Sequence, residues 1–284
     1  SSVFFNEADL AMAMLAVFLL ASVHIALSKK IIIDGHSRDE AEYENTNSIA
    51  VLGDSITQYG GQVSGWCNLL GQAVSGTATV TNYGVSGQNS AWGVTQVASM
   101  ASGLVATVMF GANDAASNAQ GVPVETFKSN LATIVSQLKL KFELVLLLAN
   151  TPVHDANFGA GFCKNHGEAV TRSFSQSKVY AAAACDVAVA QGIPCVDLWH
   201  KMVQATPAGN GFAETPGFVC DGGIPQLSTP AEDPNALWAR FLCDGLHLSP
   251  VGNRFVADEI MAAIRQNLPS FSLFSTNAST QSIG

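Results

Sequence analysis

A run of four apolar residues, Ile49-Ala50-Val51-Leu52, stops at Gly53-Asp54-Ser55, with polar chain before it and a helix-like stretch after it. A short apolar run bounded in this way reads as a central parallel strand, buried on both faces, that hands over to a tight strand-to-helix turn. In open α/β sheets that edge is where ligands sit. A serine presented there is exposed, held by rigid backbone and close to a helix start. Those are the conditions a nucleophilic hydroxyl needs, provided a base and an anion site lie nearby. Taken alone, Gly-Asp-Ser is more often an ordinary turn in which Asp54 or Ser55 caps a helix, so the rest of the chain has to decide.

The same rhythm recurs downstream. Thr79–Tyr83 alternates and is β-branched, which predicts a second strand, and the glycine-punctuated stretch from Asn82 to Gly87 follows it. Leu104–Phe110 reads as a third strand that ends in the turn Gly111-Ala112-Asn113-Asp114. Leu144–Leu148 reads as a fourth strand and Ile193–Leu198 as a fifth. Between them, helical spacing predicts helices over Val63–Val74, Ala91–Met100, Pro123–Leu140 and His166–Gln191, with Gly192 as a stop. Ser249-Pro250 is an N-cap and first-turn pair for a last helix to about Arg265. Strand–helix alternation of this kind implies an α/β fold with a five-stranded parallel sheet and helices on both faces. The expected strand order is 2-1-3-4-5, the flavodoxin-like three-layer sandwich. In that order the turns after strands 1, 2 and 3 open on one sheet edge.

At 284 residues the chain has room for one large domain and some length to spare. Leu10–Leu27 is 18 residues without a charge, about 27 Å as a helix and close to a bilayer core. Glu7 and Asp9 precede it and Lys29 and Lys30 follow, which is the polarity of a single-pass anchor with the large domain on the positive, cytosol-like side. A secretory signal carries its basic residues first. A first residue other than Met fits removal of an organellar targeting segment, and a buried amphipathic helix or an uncleaved signal is the alternative to the anchor. His24 within the segment reads as an interior partnered histidine rather than a haem or pigment ligand. The expected organisation is an N-terminal segment over 1–30 with a membrane-spanning helix at about 10–27, a linker over 31–47, the catalytic domain over 48–268 and a tail over 269–284. Thr206–Asp233 is rich in Gly and Pro and has no period, so a loop insert is expected at about 203–243.

Charged residues make up only 12% of the chain, about half the usual share. That suits a surface partly covered by membrane or by other subunits of a membrane complex. The formal charge of −9, without any basic stripe, excludes nucleic acid as a partner. Six cysteines without CxxC spacing exclude the common zinc patterns and leave the redox compartment open. Cys220 and Cys243 bracket much of the insert, and a bridge between them is one option, though not the favoured one.

Four features converge on the sheet edge. The first turn offers Ser55. The second offers a backbone N–H at Gly87, where no side chain blocks close approach. The third offers the Asn113 side-chain amide as a neutral donor. Asp244-Gly245-Leu246-His247 places a carboxylate and an imidazole three residues apart, just before the last helix. The carboxylate can fold onto the ring and orient it, while the other ring nitrogen takes the serine proton. Acyl transfer needs this set of nucleophile, base, orienter and oxyanion donors.

The blocks GDSI at 53–56, the Gly87 turn, GxND at 111–114 and DGLH at 244–247, in this order, resemble the four blocks of the SGNH (GDSL-type) hydrolases. The resemblance runs from about Ile49 to Ile264. GDSITQ, FGANDA, VPVETFKSNL, the Thr151-Pro152 turn, VDLW at 196–199 and DGLHLSPVGN are most similar to the isoamyl-acetate-hydrolysing esterase group. The resemblance implies that Ser55 is the nucleophile, that His247 is the base with Asp244 as its partner, and that the Ser55 N–H, Gly87 and Asn113 form the oxyanion hole. It implies no metal and no cofactor. The function it implies is a serine esterase acting on small carboxylic esters, acetyl or short-chain acyl, through an acyl-enzyme. Two other readings stand beside it: an accessory structural subunit of a membrane complex that keeps the fold, and a lysophospholipase or thioesterase. No GxSxG occurs, which speaks against the ordinary α/β-hydrolase elbow. The insert before Asp244 and the apolar N-terminal segment depart from the compact family pattern.

Overall fold

The computed structural model of the protein describes residues 47–205, 220 and 234–269. In chain order the main elements are β1 (Ser48–Gly53), α1 (Ser55–Tyr59), α2 (Trp66–Ala73), β2 (Thr79–Gly84), α3 (Ser90–Gln96), β3 (Gly103–Met109), α4 (Val124–Leu138), β4 (Phe142–Leu148), α5 (Asp155–Phe158), α6 (Phe174–Gln191), β5 (Cys195–Val196), α7 (Leu198–Gln204) and α8 (Pro250–Asn267). All strand pairings are parallel, in the order β2-β1-β3-β4-β5. This is the expected order, and it places the turns after β2, β1 and β3 side by side.

Side chains alternate across a strand, so β1 feeds two cores. Ile49 and Val51 pack with Trp66 and Leu70 of α2, Leu198 and Met202 of α7, and Ile260 and Ile264 of α8. Ala50 and Leu52 pack with Phe127, Leu131 and Ile134 of α4 and with Tyr180 and Ala184 of α6. Because helices cover both faces, every β3 residue is buried. That is why the strand reads as a continuous apolar run rather than an alternating one.

The elements depart from expectation where the local chain carries its own stop and start signals. The helix expected over His166–Gln191 begins only at Phe174. Gly167 is left-handed at φ 67° and ends the helical turns before it, and Ser173 caps a fresh helix by accepting from the Gln176 N–H. The residues between have no regular secondary structure. Between α5 and Gly167 lie a π-helical turn, Gly159–Cys163, and one short turn more, Lys164–His166. The fifth strand is two residues long, because Asp197 accepts from the His200 N–H and caps α7, a helix not expected from the sequence. α2 starts only at Trp66, after Ser64 at φ 62° and the N-cap Gly65, and α3 gives way to a 3-10 turn over Val97–Ser99. Cys220 and Cys243 form a disulfide, and a second, unanticipated one joins Cys185 of α6 to Cys195 of β5.

The membrane-spanning helix expected at about 10–27, with His24, lies outside the described residues, as do the linker up to 46, Thr206–Asp233 of the insert apart from Cys220, and the tail beyond 269. Among the described residues no helix is long and apolar enough to cross a membrane.

Candidate active site

The site is assembled where three strands end level. Gly53 pairs with Gly84 on one side and Met109 on the other, so the chain leaves β1, β2 and β3 at one height. A Cβ on Gly53 would sit 2.2 Å from Thr57 Oγ1 and 2.5 Å from the Met109 carbonyl oxygen. Only glycine lets α1 fold back this tightly onto the strand it leaves. Asp54 then caps α1, its Oδ1 accepting from the Ile56 N–H at 2.9 Å. Ser55 is thereby fixed as the first helical residue, where its N–H has no partner within the helix.

The Asp244–His247 turn is closed by its own backbone. The Cys243 N–H donates to the His247 carbonyl at 2.8 Å, and Leu242 and Leu248 form an antiparallel bridge. Gly245 sits at φ 89°, and a Cβ there would meet the Phe158 nitrogen at 2.2 Å and the His154 carbonyl oxygen at 2.8 Å. Its own carbonyl accepts from the His154 N–H at 2.8 Å, which pins the turn to the start of α5. Within the turn, Asp244 Oδ1 accepts from the N–H groups of Leu246 and His247 at 2.9 and 2.7 Å. Oδ2 lies 2.7 Å from His247 Nδ1, and His247 Nε2 lies 2.9 Å from Ser55 Oγ across 192 residues of chain. Burial works to raise the Asp244 pKa, but the imidazole and the two N–H groups outweigh it and hold the carboxyl below its ordinary range. Asp244 therefore faces Nδ1 as a carboxylate, which places the Nδ1 proton between them and leaves Nε2 to take a proton from Ser55. Tyr59 meets the imidazole edge-on at 5.2 Å and Phe162 flanks it at 5.6 Å.

The opposite wall carries the donors. Gly87 is left-handed at φ 77°, and among the described residues no acceptor takes the backbone N–H of Gly87 or of Ser55. Asn113 is held at both ends of its amide. Its Nδ2 donates to the Gln88 carbonyl at 2.7 Å, and its Oδ1 accepts from Arg172 Nη2 at 2.6 Å. One Nδ2 hydrogen is left over. Asp114 ties the same turn to α3, accepting from the Ser90 N–H and hydroxyl and from the Gly111 N–H.

The five residues anticipated from the sequence meet around one cavity of about 560 Å³. Ser55, Gly87, Asn113 and His247 line it, and Asp244 is fully buried behind His247. Four further residues shape the site: Asp54, read from the sequence only as a helix cap, Asp114, quoted only within its turn, and Gln120 and Arg172, not singled out at all. Asp54 is 1% exposed, and its pKa is pushed up to about 7. Burial is the main cause, the Ile56 N–H opposes it, Asp114 adds to it, and His247 and Arg172 pull back. Among the described residues, Cys220, Cys243 and Asp244 are the close-set potential metal ligands. The two sulfurs are committed to their bridge and Asp244 to His247, so the group offers no donor set for an ion.

Comparison with known proteins points to one family. The family model for GDSL-like lipase/acylhydrolase matches residues 49–260. A GDSL esterase/lipase of Arabidopsis thaliana is 31% identical over 235 residues, 77% of this chain and 86% of the relative. The isoamyl acetate-hydrolyzing esterase 1 homolog of Bos taurus is 29% identical over 236 residues, 78% of this chain and 83% of the relative. Among solved structures, a possible lipase from Chitinophaga pinensis superposes with TM-score 0.56 at 18% identity, over 78% of this chain and 98% of that one. The acetyl xylan esterase AlAXEase does so with TM-score 0.55 at 18% identity, over 76% and 99%. At these identities the two structures speak to the fold.

Proposed function

The chain belongs to the GDSL-like lipase/acylhydrolase family and is a carboxylic ester hydrolase of that type, and we propose that it cleaves small acetyl or short-chain acyl esters through an acyl-enzyme on Ser55. The observation that carries the reading is the unbroken chain from Ser55 Oγ through His247 to Asp244, at 2.9 and 2.7 Å. Ser55 Oγ attacks the ester carbonyl carbon as its proton passes to His247 Nε2. Asp244 stabilises the resulting imidazolium. The carbonyl oxygen becomes an oxyanion and accepts from the N–H groups of Ser55 and Gly87 and from the remaining Nδ2 hydrogen of Asn113. Collapse breaks the ester C–O bond, and the imidazolium gives its proton to the departing alcohol. Water, deprotonated by His247, then attacks the acyl carbon. Collapse of this second tetrahedral species returns the proton to Ser55 Oγ and releases the carboxylic acid.

The cavity wall supports a short acyl group. Ser86, Asn118, Gln120, Thr171 and Glu168 line the cavity together with the apolar Phe162, Ala169 and Leu246. A long aliphatic chain would lie against these polar groups and leave them unsatisfied. The Bos taurus relative, named as a homolog of an isoamyl acetate-hydrolyzing esterase, points the same way.

The test is labelling with a fluorophosphonate, which reacts with activated serines, combined with p-nitrophenyl esters graded from acetate to palmitate. The expected result is labelling of the wild type, none of Ser55→Ala, and turnover that falls as the acyl chain lengthens. Labelling or turnover retained in folded Ser55→Ala refutes the mechanism. Turnover that rises toward palmitate replaces the short-chain reading with the lipid-directed one.

A further inference from the structure

Arg172 is 6% exposed and stands behind the donor wall of the cavity. Every acceptor it meets is neutral. Nε donates to the Ala112 carbonyl at 3.1 Å and Nη1 to the Thr171 hydroxyl at 3.1 Å. Nη2 forks to Asn113 Oδ1 and to Gln120 Oε1, both at 2.6 Å. Gln120 in turn donates from Nε2 to the Gly87 carbonyl at 2.9 Å. Among the described residues no carboxylate lies within ion-pair distance of the guanidinium. Asp54 and Glu168 act on the guanidinium only through space; an arginine buried without a direct ion pair is costly, and a structural tie to one backbone carbonyl does not need a charge. The charge has a use if an anion forms close by.

Resting on the acyl-transfer reading of Ser55, we propose that Arg172 is the positioning residue of the oxyanion hole, setting Asn113 directly and Gly87 through Gln120, and lending positive charge to the wall that faces the tetrahedral intermediate. Two physical effects follow from the fork. First, an amide can flip, but with the cation on Oδ1 the Asn113 Nδ2 must face Gln88 and the cavity. Gln120, with Oε1 held by Arg172, likewise presents Nε2 to the Gly87 carbonyl and steadies the left-handed turn from which the Gly87 N–H projects. Second, a cation on Oδ1 draws electron density from the amide and makes the free N–H a better donor. Both effects weigh most when the carbonyl oxygen carries a full charge, so they act on the transition state more than on bound ester. Because Arg172 also grips the Ala112 carbonyl, the GxND turn is tied to the segment before α6.

Two variants test this, with Ser55→Ala beside them. Arg172→Gln removes the charge and the fork, and Gln120→Leu cuts the arm to Gly87 while leaving the buried cation in place. Losing one oxyanion donor typically costs about 100-fold to 1000-fold in kcat. The expected losses here are smaller because the donors remain but loosen: roughly 30-fold to 100-fold in Arg172→Gln and roughly 10-fold in Gln120→Leu, with KM within about threefold of wild type. An alkylboronic acid, which forms a tetrahedral anionic adduct on an activated serine, should lose affinity in step with kcat. A purely structural role would not separate kcat from KM or track boronate affinity. Unchanged kcat in either folded variant overturns the clamp, as does a loss confined to KM. If Arg172→Gln does not fold, Gln120→Leu decides alone. Full turnover in Ser55→Ala instead sinks the acyl-transfer reading itself, so the two failures are told apart.

Discussion

Asp54 sits beside the nucleophile as a fully buried acid whose only hydrogen bond among the described residues is the helix cap from Ile56 N–H to Oδ1. Asn at this position keeps an acceptor oxygen for the cap and removes the titration, so Asp54→Asn isolates the cost of burying the carboxylate. Burial raises the folded-state pKa from 3.8 to about 7. The folded protein therefore binds more protons at this site than the unfolded chain between those values, and stability falls as pH rises through the window. A shift of about three units corresponds to about 4 kcal/mol of wild-type stability withheld once both states are ionised. At about pH 5 the unfolded acid is already mostly ionised and the folded one is not, so only about 1.5 kcal/mol of that is withheld. Above about pH 7 the loss levels off near its full value. Urea unfolding of wild type and Asp54→Asn at about pH 5 and about pH 8 should thus show the variant gaining on the wild type by about 2.5 kcal/mol between the two conditions, whatever constant offset the substitution brings. A stability difference that stays the same to within about 0.5 kcal/mol across that range would show that Asp54 is ionised throughout or is solvated in the folded state, and the reasoning would fail.

Three further outcomes follow from the Asp244 turn. Asp244→Asn keeps the shape of the turn but no longer fixes the proton on Nδ1 or balances the imidazolium, so kcat should drop by about 1000-fold or more with KM little changed; steady-state kinetics on a p-nitrophenyl acetate series would check it. Because Asp244 is held below the ordinary carboxylate range, the stability it contributes is present above the pKa of the unfolded acid and is lost only as pH falls through its lower folded value. The acid limb of thermal unfolding should accordingly disappear in part in that variant. Gly245→Ala places a Cβ 2.2 Å from the Phe158 nitrogen at φ 89°, and should destabilise the domain by about 3 kcal/mol or more in denaturant unfolding.

Much of the architecture is legible in the sequence because its signals are local. A strand buried on both faces reads as a near-continuous apolar run, and Leu144–Leu148, or Leu104–Met109 with Thr107 as its one polar residue, can hardly be read otherwise. Alternation of such runs with helical periods then restricts the topology to a parallel doubly covered sheet. The reading failed where two elements abut without a break in composition. From His166 to Gln191 nothing but Gly167 interrupts a helix-compatible sequence, and the stop at that glycine together with the fresh cap at Ser173 outweighs the propensity of the residues between. At β5 apolar residues resume at Leu198 and Trp199, yet the Asp197 between them and the strand caps a helix after only two strand residues. Burial alone does not separate the end of a strand from the first turn of a helix packed on the same core. The bridge between Cys185 and Cys195 links two elements whose proximity only the folded sheet reveals.

The site divides along the same line. Ser55, Gly87, Asn113, Asp244 and His247 stand in turns at strand ends or just ahead of the last helix, and the types of residue found there carry their chemistry on their face: a hydroxyl, a glycine free to turn left-handed, an amide, a carboxylate three residues from an imidazole. Arg172 carries no such mark. It lies 59 residues beyond the Asn113 it holds, and once the helix is extended back to His166 it becomes an ordinary position on a helical surface. What signal there was lay in scarcity and in the cap. The chain has only 13 lysines and arginines, and Thr171-Arg172 stands just before Ser173, a good helix N-cap. Had α6 been started at that cap, Arg172 would have fallen in the loop that enters the helix, at the side of the sheet where the turns open. The boundary error and the missed residue are therefore one error. In a fold whose chemistry collects at strand ends and helix starts, a few residues of uncertainty in where a helix begins decides whether a buried cation is seen as surface or as part of the site.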